Sequence, residues 1–170
     1  MAAVQHEVLQ RDEHPTLMLA IAALGRLVLG ALVVAAVAVV QAQGAGGPRA
    51  INLPGRTTMA PFSDAVLVGN TLYVAGRLGM DPETGRPPAT AEQEARNVLD
   101  GIQAVLAEAD MIMDDLVQVQ IFCSDVELYD AFNLVYASYF SGAPPARAFI
   151  GSGDLLRGAR FEVMGIAAKS

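Results

Sequence analysis

The chain has 170 residues and a formal charge of −7, and it is 53% hydrophobic with a mean hydropathy of +0.38. That length holds about one domain plus an extension, and the negative balance disfavours nucleic-acid binding, which rests on Lys and Arg neutralising phosphates. A single cysteine, Cys123, excludes an intrachain disulfide; the only histidines, His6 and His14, leave the rest of the chain without Ser-His-Asp or Cys-His catalysis and without the commonest zinc ligand.

The apolar excess is concentrated near the N-terminus. From Leu17 to Val40 the only charge is Arg26. Arg26, the apolar run Leu27–Val40 and the small-residue site Val40-Gln41-Ala42 follow the order of a signal peptide, with cleavage after Ala42. A retained membrane anchor is the alternative, since about 20 apolar residues span a bilayer. Residues 1–17 are polar for a signal peptide, and translation from Met18 would give a normal start. Residues 1–42 are therefore expected to be an export or anchor segment. The protein is expected to be exported, periplasmic or secreted, or held to a membrane through residues 18–40. Residues 43–48, small and ending in Pro48, read as a linker to a domain over residues 49–170. Past Ala42 nine basic residues face fifteen acidic ones, a net of −6.

Within the domain, Ala65–Gly69 and Thr71–Ala75 are β-rich runs around Gly69-Asn70, which predicts a two-residue hairpin. Asp81–Gly85 is a turn cluster. Thr90 caps a helix, with Gln93 completing a capping box. Ala95, Val98, Leu99, Ile102, Val105, Leu106 and Ala109 recur at helical spacing as one apolar stripe, and Glu92, Glu94, Arg96 and Asp100 read as solvated. Asp114-Asp115 reads as a solvated turn before a strand, Leu116–Cys123. Val117, Val119, Ile121 and Cys123 share one face of that strand, so Cys123 is expected in the core. Asp125 caps a second helix reaching about Phe140, with Leu128, Phe132, Val135, Tyr136 and Tyr139 on its apolar side. Ser141–Pro145 ends it. Arg147–Ile150 and Arg160–Ala167 are the last strands. The expected fold is α+β, in the order β-β-α-β-α-β-β, with the sheet covered on one face.

Three stretches resemble the RidA/YjgF family. The first is Met59–Ala65 with the hairpin, Ala75-Gly76-Arg77 and the turn Asp81–Gly85. The second is Tyr129–Tyr136, containing Asn133, followed by Tyr139-Phe140. The third is Pro145-Ala146-Arg147 with Glu162 fifteen residues later. The resemblance implies a chorismate-mutase-like fold and a homotrimer, with sheets inside, helices outside and a cleft at each subunit interface. It implies hydrolytic deamination of 2-imino acids to 2-keto acids and ammonia, with no metal or organic cofactor. It also implies that Arg147 and Glu162 are catalytic and that Phe62, Ala75, Gly76, Asn133 and Phe149 contact substrate.

The residue types fit that chemistry. An Arg fork binds a carboxylate bidentately, and a carboxylate such as Glu162 can position water for attack on C=N. The plain alternatives are an Arg paired to an acid across an interface, an outward-facing strand Glu, and a helix-surface amide at Asn133. The chain departs from the family where Tyr, Ser and Cys are common: it has Phe62, Ala75 and Phe149 there. Those departures leave a second reading open, a non-catalytic trimer that binds small carboxylic metabolites. Ribonuclease activity is disfavoured by the charge and by the missing histidine.

Overall fold

The computed structural model describes residues 47–56 and 61–169. The expected export or anchor segment lies outside the described residues. Among those described, no helix is long and apolar enough to cross a membrane.

Six strands form one sheet: β1 (Arg49–Ile51), β2 (Ala65–Val68), β3 (Thr71–Leu78), β4 (Leu116–Cys123), β5 (Ala146–Gly151) and β6 (Phe161–Ala168). Their order is β1-β2-β3-β6-β4-β5. β4 and β5 are parallel, joined through helix α2 (Tyr129–Tyr136), and the other pairs are antiparallel. β1 is absent from the sequence reading because three residues are too few to show alternation. The β2–β3 hairpin turns at Gly69, whose φ of 59° suits glycine.

Helix α1 (Ala91–Ala107) starts at Thr90, whose side chain accepts the Gln93 N–H. The box is only half built, because the Gln93 amide reaches forward to Asn97 instead of back to the cap. The cap contributes about 1 kcal/mol. Burying each of Val98, Leu99, Ile102, Val105 and Leu106 contributes about 1.5–3 kcal/mol. The apolar stripe, not the cap, therefore fixes the helix to the sheet. α2 places Phe132, Val135 and Tyr136 in the same core. It ends at Tyr136, and a tighter turn, Ala137–Tyr139, carries the chain on towards Phe140.

Two expectations need correction. Val117 is exposed and Leu116 is buried in its place, because a bulge between Leu116 and Gln118 breaks the alternation of β4. Asp114 and Asp115 lie in the turn expected before β4, where Asp114 accepts from the backbone and hydroxyl of Ser141 and Asp115 from the Ile112 N–H. The larger correction is Glu94, which is wholly buried. It accepts from the Arg160 guanidinium at 2.7 Å, the Arg160 N–H at 2.6 Å and the Phe161 N–H at 3.1 Å. Arg160 also donates to the Pro88 and Ala89 carbonyls. This cluster ties the start of α1 to the start of β6, one residue before Glu162. Cys123 is buried as expected, its thiol donating to the Asp125 carbonyl.

Removing the Glu94 carboxylate orphans two backbone N–H groups and leaves a partly buried guanidinium without its counter-charge. Glu94→Ala is expected to cost about 3 kcal/mol in urea unfolding. Glu94→Gln, which keeps an acceptor, should cost less than half of that. A loss under about 1 kcal/mol for the alanine variant would contradict this role.

Candidate active site, divided between the two faces of the sheet

Strand register settles where the two candidate catalytic side chains go. Arg147 lies opposite Val119 on β4, and Val119 lies opposite Gly165 on β6. Residues in one such row point to one face, and Val119 is in the core beneath the helices. Arg147 therefore faces the helices. Glu162 lies in the row of Phe122 and Leu78, between the buried Phe161 and Val163, and so faces the uncovered side. The two residues sit on opposite faces, two strands apart. A single chain does not bring them together.

Arg147 is held by one face of α2. Its Nη1 donates to the Asn133 amide oxygen at 2.7 Å, and its Nη2 makes a long contact of 3.4 Å to the Tyr129 hydroxyl. The guanidinium carbon stands 4.8 Å from the Tyr136 ring centre, 5.6 Å from that of Tyr129 and 6.0 Å from that of Phe149. Among the described residues no carboxylate lies within 4.0 Å of it. Aromatic faces contribute about 0.5–2 kcal/mol to holding a cation, but they do not neutralise it. Several N–H donors of the fork are left for a ligand. They open on a largely apolar cavity of about 520 Å³ whose wall includes Asn133, Tyr136, Phe140, Pro145 and Arg147. Asn133 is thus a partner of Arg147 and not a plain surface amide.

Glu162 lines a second cavity, of about 810 Å³, together with Phe62, Ala75, Gly76 and Arg157. Gly76 leaves room here: a Cβ at that position would crowd the end of the Glu162 side chain, which would have to shift. At the rim Asp64 pairs with Arg56 at 3.5 Å and with Arg77 at 3.4 Å. Arg56 also covers the exposed Phe62 ring at 5.2 Å.

Of the expected contact residues, Phe62, Ala75 and Gly76 therefore sit with Glu162, and Asn133 sits with Arg147. Phe149 lines neither cavity. Its ring packs edge-on against Tyr129 at 5.1 Å and Phe132 at 5.7 Å, as part of the floor under Arg147. Tyr129 and Tyr136 are the residues beside Arg147 that the sequence alone does not single out: their spacing around Asn133 puts all three on one helix face, but no sequence signal says that β5 runs beneath that face.

The Tyr136 hydroxyl is buried with no hydrogen-bond partner among the described residues. Burial pushes its pKa up to about 12, with the Arg147 charge opposing the shift. Tyr139, whose hydroxyl donates to Asp100, is raised by burial and by that bond.

The fold is the one shared by solved structures of the L-PSP type, a mixed sheet with two helices. The chain belongs to the RidA/YjgF family: the family model described as Endoribonuclease L-PSP matches residues 54–169. A RutC family protein from Sulfurisphaera tokodaii is 35% identical over 112 residues, which cover 65% of this chain and 90% of that one. The 2-iminobutanoate/2-iminopropanoate deaminase of Capra hircus is 36% identical over 112 residues, covering 65% of this chain and 82% of the goat protein. The crystal structure of RidA from an Antarctic Psychrobacter superposes with a TM-score of 0.66 at 29% identity, over 71% of this chain and 99% of its own.

The raised Tyr136 pKa has a consequence for stability. The folded state holds the neutral phenol more tightly than the unfolded chain, whose tyrosines titrate near the ordinary value of about 10. The stabilisation is complete below pH 10 and is lost as pH rises towards about 12. Unfolding free energy measured across that interval should fall. Tyr136→Phe should flatten part of the fall and leave the share due to Tyr139. An unchanged slope would contradict the assignment.

Proposed function

We propose that this chain hydrolyses 2-imino acids to 2-keto acids and ammonia at a site shared between two copies in a homotrimer. Arg147 of one copy holds the substrate carboxylate, and Glu162 of the next orients the attacking water. The observation that carries this reading is the Arg147 guanidinium. It is oriented by Asn133 and three aromatic rings, has no carboxylate partner among the described residues, and opens on a cavity. Placement on opposite sheet faces explains why the site would need a second copy. The names of relatives such as the goat deaminase support the reaction class.

The chemistry asks little of the protein. Water held by the Glu162 carboxylate adds through oxygen to the imine carbon. The C=N electron pair moves to nitrogen, which takes up a proton. The carbinolamine then collapses, the C–N bond breaks, ammonia leaves and the carbonyl forms. Arg147 aligns the carbon through the carboxylate and disperses the negative charge next to it. A ribonuclease reading gains nothing from this geometry: the domain carries −6 and has no histidine to act as a base.

A second reading is favoured by Phe62 and Ala75, which bring no hydrogen-bonding side chain to the Glu162 cavity, and by Phe149, which brings none beneath Arg147. In that case the trimer binds keto or imino acids without turning them over. One assay separates the two. The purified domain should speed decay of 2-iminobutanoate, and Arg147→Ala should lower kcat/KM by about 100-fold or more. Calorimetric binding of 2-oxobutanoate that needs Arg147, without any acceleration of decay, would establish the binding module instead. Neither binding nor turnover would remove both.

A further inference from the structure

Among the described residues, only Asp110 and Arg157 hold a positive φ without being glycine. Arg157, at φ 59° and ψ 17°, lies in the short turn Leu156–Gly158 that leads into β6. Left-handed backbone is costly for a residue with a side chain and free of that cost for glycine. The Arg157 side chain returns nothing to the fold. It is exposed and has no hydrogen-bond or ion-pair partner among the described residues. Strain that no folded-state contact offsets is a sign of use elsewhere.

The surroundings indicate what that use is. Arg157 lines the same cavity as Glu162, yet the two do not meet within 4.0 Å. Arg56 and Arg77, in the same wall, are both turned to Asp64. Three guanidinium groups therefore face two carboxylates, a local positive excess in a domain of net −6. Only Arg157 of the three is uncommitted. The cavity, about 810 Å³, is larger than a four-carbon monocarboxylic acid fills. Among the described side chains of this wall none is a neutral hydrogen-bonding group, so charge is what those side chains offer a substrate.

We infer that Arg157 forms a second anion subsite, beside Glu162, for the distal carboxylate of a dicarboxylic 2-imino acid of four or five carbons. The inference rests on the deaminase reading: Arg147 of the adjoining copy takes the carboxylate next to the imine, and Arg157 takes the one at the far end. A long flexible guanidinium at the cavity mouth can reach tails of either length.

The test compares 2-iminoglutarate and 2-iminosuccinate with 2-iminobutanoate, each formed in place by an amino-acid oxidase. Full-length protein should favour the dicarboxylic substrates by about tenfold in kcat/KM. Arg157→Gly should lower that preference about tenfold, mainly through KM, while raising the melting temperature because the backbone strain is relieved. A gain in stability excludes misfolding as the cause. Arg157→Lys should keep part of the preference. An unchanged preference in Arg157→Gly, or a starting preference for 2-iminobutanoate, overturns the subsite and leaves the deaminase reading standing. If no imine is hydrolysed, the deaminase reading fails. Calorimetry with 2-oxoglutarate against 2-oxobutanoate then decides the subsite alone, and equal affinities, or a difference that survives Arg157→Gly, overturn it.

Discussion

A strand sends successive side chains to opposite faces, and everything proposed for this protein depends on that alternation. Arg147 shares a row with the core residue Val119, and Glu162 shares one with Phe122 on the uncovered side. The sheet is one layer thick, so no side-chain rotation unites the two groups within a chain. The structure instead holds two candidate half-sites: a cation under α2 and an acid beside Gly76. A shared cleft between copies is the arrangement that would use both.

Each half-site is positioned by something other than its own strand. Arg147 takes its direction from α2, through the Asn133 amide and the rings of Tyr129 and Tyr136. Glu162 takes its place from Glu94, whose buried carboxylate gathers the two backbone N–H groups that open β6. Gly76 leaves the room that the Glu162 carboxylate occupies. The polar groups of the domain interior therefore serve the placement of strands, while the apolar stripe of α1 supplies most of the adhesion.

Much of this was legible in the sequence, and the misses have physical causes. The α1 stripe from Ala95 to Leu106, the Gly69-Asn70 hairpin and the bounds of β4 follow from periodicity and turn chemistry. β1 escaped because three residues carry no period. Val117 was misplaced because a bulge is invisible to an alternation rule. Glu94 read as solvated because, on a helical wheel, a charge at the margin of an apolar stripe looks like any surface charge. Its partner Arg160 lies 66 residues away, and pairing over that distance is a property of the fold. Arg147, Glu162 and Asn133 stand out as candidates only through the family's motifs. Their placement on opposite faces of the sheet was not legible, since motifs carry no register.

Mixing two inactive variants tests the shared site most directly. Arg147→Ala and Glu162→Gln are each expected to be nearly inactive alone. Unfolded together and refolded, they should form mixed trimers in which some clefts pair an intact Arg147 with an intact Glu162 from a neighbour. Random assembly about a three-fold axis predicts recovery of about a quarter of the wild-type rate. No recovery, with mixed trimers shown to form, would mean that no active cleft pairs Arg147 of one copy with Glu162 of another, and would contradict the account.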